Sequence, residues 1–394
     1  MIVELHIIQN FAPSNLNRDD ANAPKDCEFG GYRRARISSQ CIKRSVRKHP
    51  AFARAIEQAG GTVGVRTKRI KSRLKQIFTD EFRRPTEEAE KVSVAVIELL
   101  GLKLSDTEKT EYLLYLGENE VAEIAKTAND SWDMLLTDDR EKAKEEGEEK
   151  GKKKGKSPVP EHLEELKKSL VSVISKSRKE ARSYAADVAL FGRMVADNKN
   201  MSVDAACQVA HAISTHKVEM EMDYFTAVDD LLPGEETGSD MIGVVEFNSS
   251  CFYRYSLINI EKLRENLGLN DDLLKASVIG FIEVSIQAIP TGKQNSMAAQ
   301  NPAGFARVIV KKDGAPWSLA NAFQKPVYPG KETDCSLEER SIAALNSYYE
   351  SLKKIYGRGS VICDSSFNLY DEKSLSLEQM LRQVSDALRS GVSA

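Results

Sequence analysis

Residues 28–49 (EFGGYRRARISSQCIKRSVRKH) bring cationic, hydroxyl and amide side chains together at close spacing. Lysine and arginine neutralise phosphate oxygens, while serine and glutamine add hydrogen bonds to them. Between positions 29 and 79 the chain carries fourteen Lys or Arg residues and one acid, Glu57. That window has a net charge of +13 in a chain whose net charge is −3, which leaves −16 for the remainder. Such a local imbalance predicts a surface for a polyanion, and nucleic acid is the first candidate.

The same stretch predicts the elements that position these groups. Gly30-Gly31 indicates a bend or a close approach of the backbone. Residues 32–37 form a basic extended segment that is too densely charged for a buried strand, and Ser38 or Ser39 supplies the N-cap of a helix. At about 100° per residue, one arc of this helix carries Gln40, Lys43, Arg44, Arg47 and Lys48. The opposite arc carries Cys41, Ile42, Ser45 and Val46. The alternative is an ordinary solvated helix face.

Two other groups of residues are candidates for catalysis or metal binding. Asp19 and Asp20, adjacent in an Asn-rich loop, are candidate Mg²⁺ ligands, but such aspartates more often cap turns or pair with arginines. His211 and His216 are five residues apart and do not match a zinc motif, so we expect structural histidines, with His211 in a packed, Ala-rich segment. Neither a nucleophile elbow nor a Walker A loop is present, which argues against hydrolase or ATPase chemistry.

Length and composition set the outer limits. At 394 residues and 41% hydrophobic, the chain can form two or three domains with a sizeable core. Its six cysteines are scattered without a CxxC pair, so neither a metal cluster nor a disulfide framework is expected and a reducing cytoplasm is indicated. The N-terminal MIVELHII reads as a strand rather than a signal peptide, and no window is apolar enough to span a membrane.

Hydrophobic periodicity predicts the remaining elements. Residues 2–8 form a strand buried on both faces, and residues 63–184 are almost wholly helical. One arm of a β-hairpin covers residues 215–225. Further strands are predicted at 187–195, 241–248, 251–258 and 305–311. Helices are predicted at 86–100, 106–126, 271–289, 336–355 and 377–388.

Residues 138–156 form a separate charged run, in which fifteen of nineteen residues are charged, acids first and lysines after them. Such a run is typical of a solvated or disordered excursion. The alternative is a mobile basic tail that touches nucleic acid.

Without its two insertions the predicted order is β–α–β–β–α–β, which makes the fold class α+β with a ferredoxin-like arrangement, as in RNA-recognition folds. Fold alone does not establish function. The sequence is more specific than the fold, because a series of motifs occurs in order along nearly its whole length. They are LNRDD (16–20), FGG with RRARISSQ and KR (29–44), GRM (192–194), AHAISTH with DYFTAVDD (210–230), EFNSSCFYRY (246–255), GKQ with NP (292–302) and LANAF (319–323).

Together these motifs resemble the CasC family of type I-E CRISPR Cascade backbone subunits. The resemblance implies a hand-like protein with an RNA-recognition-type palm in residues 1–60, 187–196 (a palm strand) and 241–394. Helical fingers occupy residues 61–186 and a thumb with a β-hairpin occupies residues 197–240. Copies of such a subunit polymerise along the spacer of a CRISPR RNA. Each thumb displaces one nucleotide at regular intervals and leaves the other bases free to pair with target DNA.

The resemblance also assigns roles to individual residues. Lys43, Arg44 and Arg47 would neutralise phosphates, with hydrogen bonds from Ser38, Ser39 and Gln40 near the helix N-terminus. Arg18 and Lys25 would extend this groove, and Lys293 and Gln294 would add a backbone contact. Met194 would wedge against bases, and Phe225 and Thr226 would act at the displaced nucleotide. Without the resemblance, Met194 and Phe225 would be read as core packing and Lys293 as a surface lysine.

The resulting expectation is a non-catalytic RNA scaffold without a cofactor or a metal. Its implied partners are CRISPR RNA, target DNA reached through the guide, further copies of itself, the other Cascade subunits and a helicase–nuclease recruited later. Two alternatives stay open. One is a type III-like backbone subunit that cleaves target RNA with a loop aspartate, and the other is a stand-alone single-strand RNA-binding protein.

Overall fold

The computed structural model describes residues 1–105, 107–137, 161–174, 184–195, 199–226, 242–330, 335–357 and 359–392. The charged run 138–156 lies outside these residues. Contacts divide the chain into two compact units. The first unit comprises Met1–Ala55, Cys207–Glu261 and Lys275–Ala394, and the second comprises Ile56–Ala206 and Lys262–Leu274. Within the described ranges, no helix is long and apolar enough to cross a membrane.

Strands of the first unit form a nine-stranded sheet in the order β11-β10-β1-β9-β7-β3-β2, with β6 and β8 also pairing with β9, while β4 and β5 pair with each other in the second unit. The strands are β1 (Ile2–Ser14), β2 (Asp26–Phe29), β3 (Tyr32–Ile37), β4 (Gly64–Thr67), β5 (Leu114–Gly117), β6 (Cys207–Val209), β7 (Ala212–Ser214), β8 (Glu221–Thr226), β9 (Ile242–Asn259), β10 (Phe305–Lys311) and β11 (Val361–Asn368).

Helices belong to both units. They are α1 (Ser39–Lys48), α2 (Pro50–Gln58), α3 (Ile70–Asp80), α4 (Thr86–Leu99), α5 (Glu118–Asp130), α6 (Trp132–Leu136), α7 (Glu161–Ile174), α8 (Ala186–Phe191), α9 (Ile260–Asn266), α10 (Asp271–Gln287), α11 (Gln294–Met297), α12 (Leu337–Tyr356) and α13 (Leu377–Val392). Short 3₁₀ turns cover Lys199–Met201 and Ala320–Phe323.

Strand β1 lies inside the sheet of the first unit. It runs antiparallel to β10 on one side and to β9 on the other. Its residues from Val3 to Ile8 are buried on both faces, as the sequence predicts. The polar residues of β1 find partners there, since the Glu4 carboxylate accepts a hydrogen bond from the Tyr255 hydroxyl at 3.1 Å and lies 2.6 Å from the Lys311 ammonium.

The mixed α+β class is confirmed, and so are several individual elements. The predicted helices 86–100, 271–289, 336–355 and 377–388 correspond to α4, α10, α12 and α13. Strand 305–311 corresponds to β10. The hairpin arm predicted at 215–225 is β8, which begins later and pairs with the first part of β9.

Two predicted elements of the second unit are wrong. Residues 187–195, predicted as a strand, contain helix α8, because a short apolar run does not distinguish a buried strand from a buried helix. Gly192, with φ at 75°, ends this helix. Residues 106–126 are not one helix, since they include β5. Helix α5 starts only after Gly117, whose backbone N–H donates to the Glu120 carboxylate at 2.8 Å.

Two strands of the first unit also differ from expectation. The segments 241–248 and 251–258 are parts of the single strand β9, because its pairing with β1 continues through Ser250. The edge strand β11 was not predicted, and it pairs with β10. Its alternate residues are only partly buried, so its hydrophobic pattern is weak.

The segment 32–37 was expected to be too charged for a buried strand, yet it forms β3 with its middle in the interior. Arg34 is fully buried. Its guanidinium donates hydrogen bonds to the backbone carbonyls of Phe323 at 2.7 Å and Ser214 at 3.3 Å. A charge-assisted hydrogen bond to a carbonyl replaces the lost water, so this cation is tolerated inside.

Burial of His6 makes the stability of the first unit depend on pH. Burial, followed by the nearby charges of Arg307 and Lys311, lowers the pKa of His6 from 6.5 to about 3. Its Nδ1 lies 2.9 Å from the Tyr253 hydroxyl. The neutral ring contributes its full stability above pH 6.5, and this contribution is lost as the pH falls from 6.5 toward 3.

We expect His6→Phe to reduce the acid sensitivity of folding. Between pH 7 and pH 5 the wild type should lose about 2 kcal/mol of unfolding free energy more than the variant, because only the wild type must protonate a histidine on unfolding. Urea denaturation at the two pH values measures the difference. Equal losses in both proteins would show that His6 does not titrate between the folded and unfolded states.

Candidate nucleic-acid interface

Helix α1 has the two faces that the sequence predicts. Ser38 is its N-cap, with its hydroxyl accepting a hydrogen bond from the Cys41 N–H at 3.3 Å. Ile42 and Val46 are buried beneath the helix. On the other arc, Gln40, Arg44 and Lys48 are exposed and Lys43 and Arg47 are half-exposed. The helix therefore presents cations along one face while its apolar arc holds it in place.

The loop that precedes β2 is tied to the start of α1 through Asn17. Its side-chain oxygen accepts from the Ser38 N–H, and its carbonyl accepts from the Lys25 N–H, each at 2.8 Å. Arg18 next to it is exposed and reaches the Asn22 side chain at 3.4 Å. Both loop cations named by the sequence, Arg18 and Lys25, are thus carried on a segment whose position is coupled to the helix cap.

A polar cavity of about 350 Å³ lies beside α1 in the first unit. Arg18 and Arg44 are its cations and Asp19 is its carboxylate. Its full lining is Leu16, Asn17, Arg18, Asp19, Asn22, Cys41, Arg44, Ser45, Thr291 and Gly292. Two guanidinium groups in a recess rich in hydrogen-bond donors suit a phosphate group.

Thr291 and Gly292 close this cavity on one side. A Cβ at Gly292 would lie 2.4 Å from the Leu16 carbonyl oxygen, so only glycine permits the approach. Lys293 follows in a left-handed conformation, with φ at 51°, and is half-exposed. The Gln294 amide donates to the Pro290 carbonyl at 3.0 Å, so that side chain supports its own loop. Lys293 is therefore the member of the predicted pair that adds charge near the cavity.

Asp19 has a structural task in its loop. One of its carboxylate oxygens accepts hydrogen bonds from the backbone N–H groups of Ala21 and Ala23, at 2.9 and 3.0 Å. This arrangement caps a turn, as aspartate commonly does. Asp20 is exposed. Over the part of the chain that the structure describes, no three His, Cys, Asp or Glu side chains are grouped to hold a metal ion.

The two histidines differ from each other. His216 is structural, because its Nε2 accepts from the Cys251 N–H at 3.3 Å and its Nδ1 donates to the Lys217 carbonyl at 2.8 Å. Burial lowers the pKa of His216. His211 was expected to be packed but is exposed, since its neighbour Ala212 takes the buried position on β7.

His211 also makes a contact that the sequence did not predict. Its Nδ1 lies 3.0 Å from the Arg36 guanidinium, which donates as well to the Asp26 carbonyl at 3.0 Å. Partial burial and the charges of Arg36 and Lys25 lower the pKa of His211. The neutral His211 ring accepts a hydrogen bond from the Arg36 guanidinium and so orients that group near Lys25. Arg36 and His211 are 175 positions apart, so no local sequence pattern predicts this contact.

Strands β8 and β9 form an exposed ribbon that carries Phe225 and Thr226. Phe225 pairs with Gly243, and a Cβ on that glycine would lie only 2.1 Å from the phenyl ring. The ring thus lies across the glycine, while 45% of the residue stays exposed. Tyr224, at 70% exposure, and Met222 were not singled out by sequence reasoning. Residues 227–240, which belong to the same expected thumb, lie outside the described residues.

Met194 belongs to the second unit and is 89% exposed, so the alternative of core packing does not hold for it. The preceding residue is fixed in the interior, where the Arg193 guanidinium lies 2.8 Å from the buried Glu120 carboxylate. It also donates to the carbonyls of Tyr115 and Ile174, both at 3.1 Å. A buried, fully bonded neighbour holds the backbone from which the Met194 side chain projects.

Comparison with known proteins adds to this geometry. The chain matches the family described as CT1975-like protein over residues 3–387. It is similar to a chain of a "CRISPR RNA-guided surveillance complex, pre-nicking", with 28% identity, a TM-score of 0.77, and coverage of 99% of this chain and 100% of that one. A second match, "CRISPR RNA-guided surveillance complex", has 24% identity, a TM-score of 0.66 and the same coverage. At this identity the match shows a similar fold and nothing more. No curated protein matches the chain.

For the RNA-binding role that the sequence predicts, Gly243→Ala should weaken the binding of single-stranded RNA by about 5-fold to 150-fold. The added methyl group displaces the Phe225 ring, and a base stacked on an aromatic side chain contributes about 1–3 kcal/mol. Filter binding measures the change. Val244→Ala, on the other face of the ribbon, is the matched control and should bind as the wild type does. In a Phe225→Ala background the glycine substitution should have no further effect, and an undiminished effect there would separate Gly243 from the ring.

Proposed function

We propose that this chain, which belongs to the family of CT1975-like proteins, is a non-catalytic backbone subunit of a type I-E Cascade surveillance complex, of the CasC kind. In this proposal it binds the spacer of a CRISPR RNA and presents it to target DNA in antiviral defence. The match to a surveillance-complex chain over 99% of the length supports it. The complex would assemble in the cytoplasm.

The cationic face of α1 is the observation that carries the proposal. Lys43, Arg44 and Arg47 lie on it, and Arg44 also lines the polar cavity next to Arg18. Cations on a rigid helix, beside a recess of hydrogen-bond donors, bind successive phosphates without reading bases. Ser38 contributes mainly as the helix cap, while Ser39 and Gln40 supply polar groups at the start of the helix.

The palm of the proposed hand has a ferredoxin-like sheet. Such a sheet places the first strand between the last and the third, and here β1 lies between β10 and β9. Segment 187–196 is not the second strand, because it contains α8. We assign that place to β6 and β7, which pair with β9 on its other edge. The fingers in 61–186 keep the role that the CasC resemblance implies. The thumb expected in 197–240 is reduced to the part that follows β7, because β6 and β7 pair within the palm sheet.

The thumb ribbon would act on the guide through Phe225 and Thr226. A phenyl ring that lies across a glycine offers a flat surface, on which a base of any identity can stack. The exposed thioether of Met194 would contact bases from the second unit. Because such contacts carry no sequence information, target choice would fall to base pairing between guide and DNA.

The chain is proposed to be non-catalytic. The turn-capping bonds of Asp19 give its carboxylate a structural use, which supports this reading over RNA cleavage. Its partners would be the CRISPR RNA, neighbouring copies of itself, the other Cascade subunits, target DNA through the guide, and a helicase–nuclease recruited afterwards.

Gel-shift binding to single-stranded RNAs of increasing length tests the proposal directly. In Mg²⁺, the purified protein should add discrete complexes at a regular nucleotide interval and leave the RNA intact. A single complex at every length would favour a stand-alone binder. Regularly spaced cuts would identify a nuclease, and Asp19→Asn with Asp20→Asn would then be the first variants to examine.

The double variant Lys43→Glu, Arg47→Glu should bind RNA more weakly, at every salt concentration where binding is measurable, while its thermal unfolding stays cooperative. Each phosphate contact contributes about −0.7 to the slope of log K against log salt for single strands, so the slope should become shallower by about 1.4. Arg340→Glu with Lys354→Glu, two exposed positions of α12, is the matched control. An unchanged slope in the α1 variant would remove the helix from the interface.

A further inference from the structure

The second half of the basic window, residues 66–75, lies in the second unit and is not used by the proposed α1 interface. It contains six cations: Arg66, Lys68, Arg69, Lys71, Arg73 and Lys75. Carboxylates of the same unit engage the last three. The pairs are Lys71 with Glu90 and Glu108, Arg73 with Glu118 at 3.1 Å, and Lys75 with Glu90 at 2.6 Å.

The first three cations have a different environment. Arg66, Lys68 and Arg69 are all exposed, and no carboxylate of the described residues forms an ion pair with them. The Arg66 guanidinium lies 4.6 Å above the Tyr115 ring, on the neighbouring strand β5. A cation held on an aromatic face keeps its charge and loses little further entropy when it binds an anion.

A recess of about 230 Å³ opens beside these residues at the junction of β4 and α3. Arg69 and Arg73 supply cations to it, and Thr67, Ser72 and Gln76 supply hydroxyl and amide groups. Glu118 also lines the recess and already pairs with Arg73. The Thr67 hydroxyl accepts from the Arg69 N–H at 2.8 Å, which fixes the turn that carries Arg69.

Apolar side chains extend the same surface. The Lys68 ammonium donates to the Glu111 carbonyl at 3.1 Å, which places the loop before β5 next to the cations. Tyr112 and Leu113 follow in that loop and are 48% and 55% exposed. Cations that track a backbone, next to an exposed aromatic ring, are the usual components of a single-strand binding surface.

We infer that the β4–α3 corner of the second unit binds the phosphodiester backbone of a nucleic-acid strand, at a site separate from the cations of α1. Arg66, Lys68 and Arg69 contact the phosphates. Tyr112 offers a stacking surface for a base or a sugar. The inference rests on the proposed function, and the strand is either the guide RNA or the DNA that pairs with it.

The test variant replaces three cations by neutral residues: Arg66→Gln, Lys68→Gln and Arg69→Gln. Its matched control is Lys91→Gln, Lys126→Gln and Lys168→Gln, which removes the same charge at three exposed positions of the same unit. Lys68→Gln alone is a milder variant that leaves the Arg66–Tyr115 contact in place. Salt slopes are measured for the full chain with labelled single-stranded RNA, and then for complementary DNA added to the RNA-loaded protein.

The inference expects the triple variant to flatten one of the two slopes by about 2 relative to the control, since each single-strand phosphate contact contributes about 0.7. A flatter RNA slope assigns the site to the guide, and a flatter DNA slope with unchanged RNA binding assigns it to the target strand. Both slopes equal to the control would overturn the inference. Failure of the proposed function gives a different result, because the wild-type protein would then form a single complex at every RNA length, or cut the RNA, whatever the slopes of the triple variant.

Discussion

The buried guanidinium of Arg34 constrains the whole basic face of the first unit. Among the described residues, its acceptors are the backbone carbonyls of Phe29, Ser214, Phe323 and Gln324. A buried cation without these bonds would cost several kcal/mol, so β3 must stay against the segment that contains Phe323. A Cβ at Gly30 would come within 2.2 Å of the Gln324 carbonyl oxygen, so the bend before β3 has to be glycine. Because β3 leads straight into Ser38, this arrangement also sets where α1 begins.

Elements with a strong local signal were predictable from the sequence. Helix α1 has a serine cap and a clear division into two faces, and both the cap and the faces are present. Local patterns fail where a distant partner decides the outcome. Helix α8 has a short apolar sequence that fits a strand equally well, and Asp187 within it accepts from the Gly64 N–H at 2.6 Å, 123 positions away. The contact between Arg36 and His211 spans 175 positions. The burial of Arg34 also depends on distant residues, Ser214 and Phe323.

The count of charged residues located the basic region, but it did not show which of its cations are buried or paired with carboxylates. Within the window, Arg34 is inside the first unit, while Lys71, Arg73 and Lys75 pair with carboxylates that lie outside the window. The net charge of +13 therefore overstates the charge available to a ligand. Of the remaining cations in the window, one set lies along α1 in the first unit and another lies at the β4–α3 corner of the second. A composition count cannot separate them, because pairing is a property of the fold.

The surfaces that remain share a limit on what they can recognise. Lysine and arginine side chains contact phosphate, and phosphate is the same at every nucleotide. The Phe225 ring lies across Gly243 and presents a π-face, which accepts any base. Reading a base requires donors and acceptors aimed at its edge, and contacts to phosphate or to a π-face do not supply them. A protein that holds RNA in this way leaves base edges free, and sequence choice passes to a second strand that pairs with them.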